Sequence, residues 1–222
     1  MQKFDTPATI TAVIDIPAGH LRLIAADRTD TLVEVLPANP SKGRDVQAAE
    51  QTEAVLTDGV LRIVTASANH RLLGPSGAVE VTVQLPSGSR VEAKAADAEL
   101  RGVGRLGEVS YESARGAVKL DETAGGRLVL QDGAIEVGRL TGSAQLDTQR
   151  GDLTVAEAVR GELVLTTQSG SITVGAARGV SASLDADTSY GRIHNALRNA
   201  DDVPALTIRA TTKNGDISAR TV

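Results

Sequence analysis

The chain contains no cysteine, which excludes disulfide frameworks, thiolate nucleophiles, cysteine zinc sites and iron–sulfur clusters. Its only aromatic residues are Phe4, Tyr111 and Tyr190, so there is no set of rings to stack bases, shelve sugars or anchor an aromatic interface. Basic charge is not in excess: 23 Lys and Arg against 28 Asp and Glu give a net charge of −5, which argues against a nucleic-acid partner. No stretch approaches the roughly 18 apolar residues of a membrane-spanning helix. The first residues show neither the apolar run nor the small-residue cleavage site of a secretory signal. A cytoplasmic chain without membrane insertion is therefore expected.

What is present is 222 residues, enough for one domain with a substantial core. The apolar residues are mostly Val, Ile, Leu and Ala, and they alternate with polar ones at the strand period of two. Ile10, Ala12, Ile14 and Ile16 form one such series, Pro17, Ala18 and Gly19 supply a turn, and Leu21, Leu23 and Ala25 form a second strand. A third strand is expected over 31–36, followed by a polar loop over 37–45. Residues 46–56 have a composition that fits a short helix, but a strand over about 49–56 is preferred. Asp58 and Gly59 then signal a hairpin into a strand over 60–65. Residues 69–77 read as a loop, and Val79, Val81, Val83 and Leu85 share one face of a strand that Pro86, Ser87 and Gly88 terminate.

From about residue 90 the pattern becomes a repeat. Two polar residues, a glycine and an apolar-x-apolar pair recur around Gly116, Gly133, Gly151, Gly170, Gly191 and Gly215, at intervals of 17, 18, 19, 21 and 24 residues. A second strand, also introduced by glycine, lies between these units: Val109 and Tyr111 follow Gly107, Leu128 and Leu130 follow Gly126, and Leu163 and Leu165 follow Gly161. A unit of about 18 residues cannot bury its inward side chains alone. Stacked units align Val118, Ile135, Leu153, Ile172, Ile193 and Ile217 into one interior ladder. The expectation is an all-β, single-domain β-solenoid: 1–89 hairpin-rich, 90–222 regular coils. Glycine suits the tight corners, and a narrow interior favours aliphatic over aromatic residues.

The turn after Ile16, the Asp58–Gly59 hairpin, the segment from Val81 to Gly88 and the Thr-x-x-Gly-x-Ile-x-Val coils together resemble the bacterial putative-adhesin family of β-strand-repeat proteins, the toastrack domains (domain of unknown function 4097). The resemblance covers nearly the whole chain. It implies a right-handed β-solenoid comparable in its coils to bactofilins, in a family often tethered to membranes or tied to envelope stress. The family is not known for catalysis, so no catalytic residue carries over.

The residues themselves support the same view. His20, His70 and His194 stand in separate turns without ligand spacing, and the nonapeptide that binds calcium in β-rolls is missing around Asp132, Asp152 and Asp216. Neither metal nor cofactor is expected. Gly102 and Gly104 lack the rest of a dinucleotide fingerprint, and Ser169 sits at a coil corner instead of a nucleophile elbow. Arginine precedes glycine or a corner at Arg101, Arg115, Arg150, Arg160 and Arg178; stacked corners could make these a basic stripe for acidic ligands. Solvated salt-bridged corners are the more economical reading.

Two functions follow. The first is a non-enzymatic structural or protein-interaction module, self-associating through solenoid ends or faces. Its final coil, with Leu206, Ile208 and Ile217, would leave strand edges unpaired, since no capping helix is evident. The second is an adhesin-like or stress-sensing module that reads a carbohydrate, an anionic polymer or a peripheral membrane surface through Arg115, Arg150, Arg160 and Arg178. An enzyme would need converging acids, bases or metals, which cannot be assembled from these residues.

Overall fold

The computed structural model describes residues 1–66, 77–199 and 203–222. In chain order the elements are β1 (Gln2–Asp5), β2 (Thr11–Ala26), β3 (Asp30–Pro37), α1 (Gly43–Glu50), β4 (Thr52–Thr57), β5 (Val60–Thr65), β6 (Val79–Pro86), β7 (Arg90–Arg115) and β8 (Val118–Asp132). They continue as β9 (Ile135–Leu140), β10 (Ala144–Arg150), β11 (Leu153–Ala158), β12 (Gly161–Ser169), β13 (Ile172–Ala176), β14 (Ala182–Tyr190), β15 (Ile193–Ala196), β16 (Leu206–Asn214) and β17 (Ile217–Thr221). Among the described residues no helix is long and apolar enough to cross a membrane.

The chain winds out along one sheet face and back along the other, and this is the expected β-solenoid. One face stacks β4, β5, residues 11–15 of β2, residues 90–97 and 108–115 of β7, residues 126–132 of β8, then β10, β12, β16 and β14. Residues 90–97 and 108–115 are successive turns tied by the ion pairs Arg90–Glu108, Lys94–Glu112 and Arg115–Asp97. The other face stacks β1, β3, β6, residues 19–26 of β2, residues 98–103 of β7, residues 118–123 of β8, then β9, β11, β13, β17 and β15. Among the described residues every pairing is parallel except β1–β3, β3–β6 and β4–β5.

The interior ladder is in register across coils: Val118, Ile135, Leu153, Ile172, Ile217 and Ile193 are successive partners. All but Ile193 are essentially buried, and each aliphatic side chain taken from water contributes about 1.5–3 kcal/mol. Tyr111 also lies inside, fully buried, so the narrow interior admits one ring. Its hydroxyl donates to the Ala98 carbonyl at 2.6 Å, and burial raises its pKa above the ordinary phenol value.

One corner is built from stacked glycines. Gly116, Gly133, Gly151, Gly170, Gly215 and Gly191 lie over one another so closely that a Cβ on each of the last five would overlap the carbonyl oxygen of the glycine before it in the stack. Inside this corner the hydroxyls of Thr148, Thr167, Thr212 and Thr188 donate to the Gly133, Gly151, Gly170 and Gly215 carbonyls at 3.0–3.1 Å. Threonines, buried at 148, 167 and 212 and half-buried at 188, thus satisfy corner carbonyls that would otherwise lose water.

The elements differ from expectation in three places. Pro17, Ala18 and Gly19 do not separate hairpin strands; β2 runs through them as a corner, and its two halves pair in parallel with the two halves of residues 90–103. The solenoid therefore begins at residue 11. The strand expected over about 49–56 is present as β4, starting at Thr52, but the helix α1 occupies Gly43–Glu50, taking the end of the loop expected over 37–45 and the residues before the strand. α1 buries Ala48 and Asp45, and the Asp45 carboxylate accepts the Ala78 backbone N–H at 3.0 Å. Most consequentially, β16 and β17 are not the last layer. They insert between β12–β13 and β14–β15, in register with both. The loop expected over 69–77 lies almost wholly outside the described residues.

Candidate functional site

The two ends of the solenoid are unlike. At the first end α1 packs against β3 and β6 on one face and β4 on the other, so it spans the interior and covers it. At the second end β14 and β15 pair on one side only, with β16 and β17. Among the described residues their outer edges are unpaired, as are those of β1 and β4 at the first end, but here the inward residues face the open end of the core. Ile193 is 48% exposed although Ile217, its neighbour in the ladder, is 1% exposed. Leu184 and Ala186 are half-buried, whereas their partners Ile208 and Ala210 are buried. Along the side, Asn199 binds both backbone groups of Ala182, at 2.8 and 3.1 Å, and Thr221 accepts the Arg198 N–H at 2.8 Å.

The electrostatics of this end layer differ from those of the body. In the body, outward charges meet opposite charges on the next coil: Arg101–Asp121 at 2.6 Å, Lys119–Glu136 at 2.9 Å, Arg139–Glu157 at 3.7 Å and Arg209–Glu162 at 3.3 Å. The end layer carries Asp185 and Asp187 outward on β14, and Arg192 and His194 on and beside β15. Among the described residues none of these four has an ion-pair partner. The backbone N–H of Arg192 is held by Asp216 at 2.8 Å, as Asp152 holds that of Ser171 at 2.7 Å. These corner carboxylates join coils, as acceptors for the next coil's backbone.

The arginines singled out in the sequence do not converge. Arg115 pairs with Asp97 at 3.7 Å, Arg150 with Asp132 at 2.9 Å, and Arg160 donates to the Thr141 carbonyl at 3.1 Å, each one coil away. Arg178 has no ion pair among the described residues and stands elsewhere, in an open groove of about 800 Å³ that Arg198, Arg220, Thr221 and Val222 also line. Leu206, Ile208 and Ile217 are buried in the inserted layer, with strands on both sides, so they form no open edge. His20 lies 3.7 Å from Glu99, His194 is on β15, and His70 is outside the described residues. Among the described residues no three metal-ligating side chains converge.

Asp185, Asp187, Ile193, Arg198 and Arg220 were not recognisable as site residues from the sequence. One signal was there: Asn195 stands where the other coils of its ladder place Val155, Val174 and Ala219 inside. A polar residue at that position marks the layer that is least enclosed.

A family model described as Toastrack DUF4097 matches residues 76–220. Among solved structures, a putative adhesin from Bacteroides fragilis NCTC 9343 is similar with a TM-score of 0.57 and 13% identity, covering 98% of this chain and 95% of that one. At that identity the likeness is one of fold. A putative adhesin from Parabacteroides distasonis ATCC 8503 has a TM-score of 0.43, 13% identity and coverage of 98% and 95%. A putative cell adhesion protein from Clostridium sporogenes ATCC 15579 has a TM-score of 0.39, 11% identity and coverage of 100% and 98%. None of the curated proteins matches.

Proposed function

The chain belongs to the Toastrack family, and from that premise we propose that it is a non-catalytic protein-interaction module that works through the open end of its solenoid. The observation that carries this reading is the asymmetry of the ends: both finish in strands paired on one side only, β1 and β4 at one and β14 and β15 at the other, but α1 lies across the interior at the first, whereas at the second the ladder residue Ile193 is half exposed. An unpaired edge in a native protein is either blunted or used for pairing. The Bacteroides fragilis structure of similar fold is named a putative adhesin, a name that fits an interaction role. A photo-crosslinking amino acid placed at position 193, and as a control at position 154 in the middle of the second face, tests it in the producing cell. Protein adducts at 193 and none at 154 are expected. Equal labelling at both positions, or none at either, would overturn the reading.

The groove lined by Arg178, Arg198 and Arg220 favours a second reading, contact with an anionic polymer or membrane surface. Co-sedimentation with vesicles rich in phosphatidylglycerol, compared with phosphatidylcholine alone, decides it. Binding to the anionic vesicles should vanish in about 0.5 M salt and in the Arg178→Glu/Arg198→Glu/Arg220→Glu variant. Equal affinity for both vesicles, or no binding to either, would sink it.

A further inference from the structure

We infer that the occupant of the open end is a second copy of this chain, related by a two-fold axis running along the strand direction, so that β14 of each protomer lies antiparallel to β15 of its partner. The inference rests on the reading of the open end as an interaction site and names what binds there.

Geometry permits two ways of joining such ends in a continuous sheet. β14 and β15 are successive limbs of one coil and run in opposite directions on the two faces. A two-fold axis perpendicular to the faces would place β14 against the partner's β14 and β15 against the partner's β15. An axis along the strands instead places β14 against the partner's β15, twice. Both arrangements make antiparallel ladders, so hydrogen bonding alone does not choose between them.

Charge does choose. The first arrangement brings Asp185 and Asp187 of two protomers together on one face and the two Arg192 side chains together on the other, and like charges on facing strands destabilise a pair. The second sets Asp185 and Asp187 opposite Arg192 on both faces, with the His194 imidazole beside them as a hydrogen-bonding partner. It thereby extends across the junction the rule the body already follows, in which Arg90, Lys94, Lys119 and Arg150 each meet a carboxylate one layer away. It also closes the interior, covering Ile193, Leu184 and Ala186 with the same residues of the partner. The contact is isologous and uses the one end of each protomer at which the ladder is exposed, so the assembly stops at two.

Size-exclusion chromatography with light scattering across protein concentration tests this. The wild type should give a species of twice 22.9 kDa. Asp185→Lys/Asp187→Lys and Arg192→Glu/His194→Glu alter exposed side chains, so folding, checked by circular dichroism, should survive. Each pair should raise the dimer dissociation constant at least about tenfold. The quadruple variant, and an equimolar mixture of the two double variants, should recover the dimer. A wild type that is monomeric at every concentration, a filament, a quadruple variant that stays monomeric, or tighter association of Asp185→Lys/Asp187→Lys would each overturn the inference. A monomer that still crosslinks at position 193 to a different protein would overturn self-pairing while leaving the open end as the interaction site.

Discussion

At the scale of single residues, the glycines divide by what surrounds them. Gly151 has φ +147° and its Cβ would overlap the Gly133 carbonyl, so an alanine there meets both backbone strain and a neighbour that cannot move without parting two coils. Gly59 has φ +75° at the tip of the β4–β5 hairpin with open space where a Cβ would go. Gly151→Ala should therefore lower stability by about 2 kcal/mol or more. Gly59→Ala should cost about 1 kcal/mol. Urea midpoints measure both, and equal losses would contradict the stacked-glycine account. A second residue gives the acid limb of stability. Asp30 is held below the ordinary carboxylate range chiefly by its hydrogen bond to Arg28, with Lys3 adding to it. Its contribution is present above the unfolded pKa and is lost as pH falls through the lowered folded value. The gap in urea midpoint between wild type and Asp30→Asn should accordingly close as pH drops below about 4.

At the scale of elements, most strands were legible because side-chain alternation and glycine corners repeat with the coil. The register of the ladder from Val118 to Ile172 follows from those spacings, and the structure keeps it. Two features were not legible, for different reasons. The helix α1 has eight residues with no side-chain cap, and its placement depends on Asp45 reaching the Ala78 N–H, a contact 33 residues away that no local pattern encodes. The inserted layer was hidden because β14–β15 and β16–β17 have interchangeable registers on β12–β13. What separates them is composition. Leu206, Ile208, Ala210, Ile217 and Ala219 fill the interior better than Ala182, Leu184, Ala186, Ile193 and Asn195, so the more apolar pair takes the enclosed position. This is also why the open end falls at Ile193 and not at Leu206, Ile208 and Ile217. A chain ending at residue 205 should then lose amide-exchange protection over 182–196, while 144–176 stays protected. Full protection of 182–196 in that chain would show that the outer layer does not need the inserted one.

At the scale of the whole molecule, the charged residues are arranged as exposed pairs running from coil to coil on both faces. Exposed pairs contribute little each, and salt screens them. Raising salt to about 0.5 M should therefore move the thermal midpoint by no more than about 3 °C, as differential scanning calorimetry would record. The same salt should weaken the end-to-end dimer, whose selectivity between two geometries is electrostatic. A large loss of thermal stability would mean that the paired charges hold the coils together, against the burial of the ladder.

The inserted position of β16 and β17 also sets a timetable for biosynthesis. A chain leaving the ribosome from its N-terminus delivers β14 and β15 before the strands on which they will rest. Until the last residues emerge, β12 and β13 offer a ready template, and the matching segment of a sister chain on the same message fits it as well as the chain's own. Exchange of the β16–β17 segment between neighbouring nascent chains is thus the misassembly this topology invites.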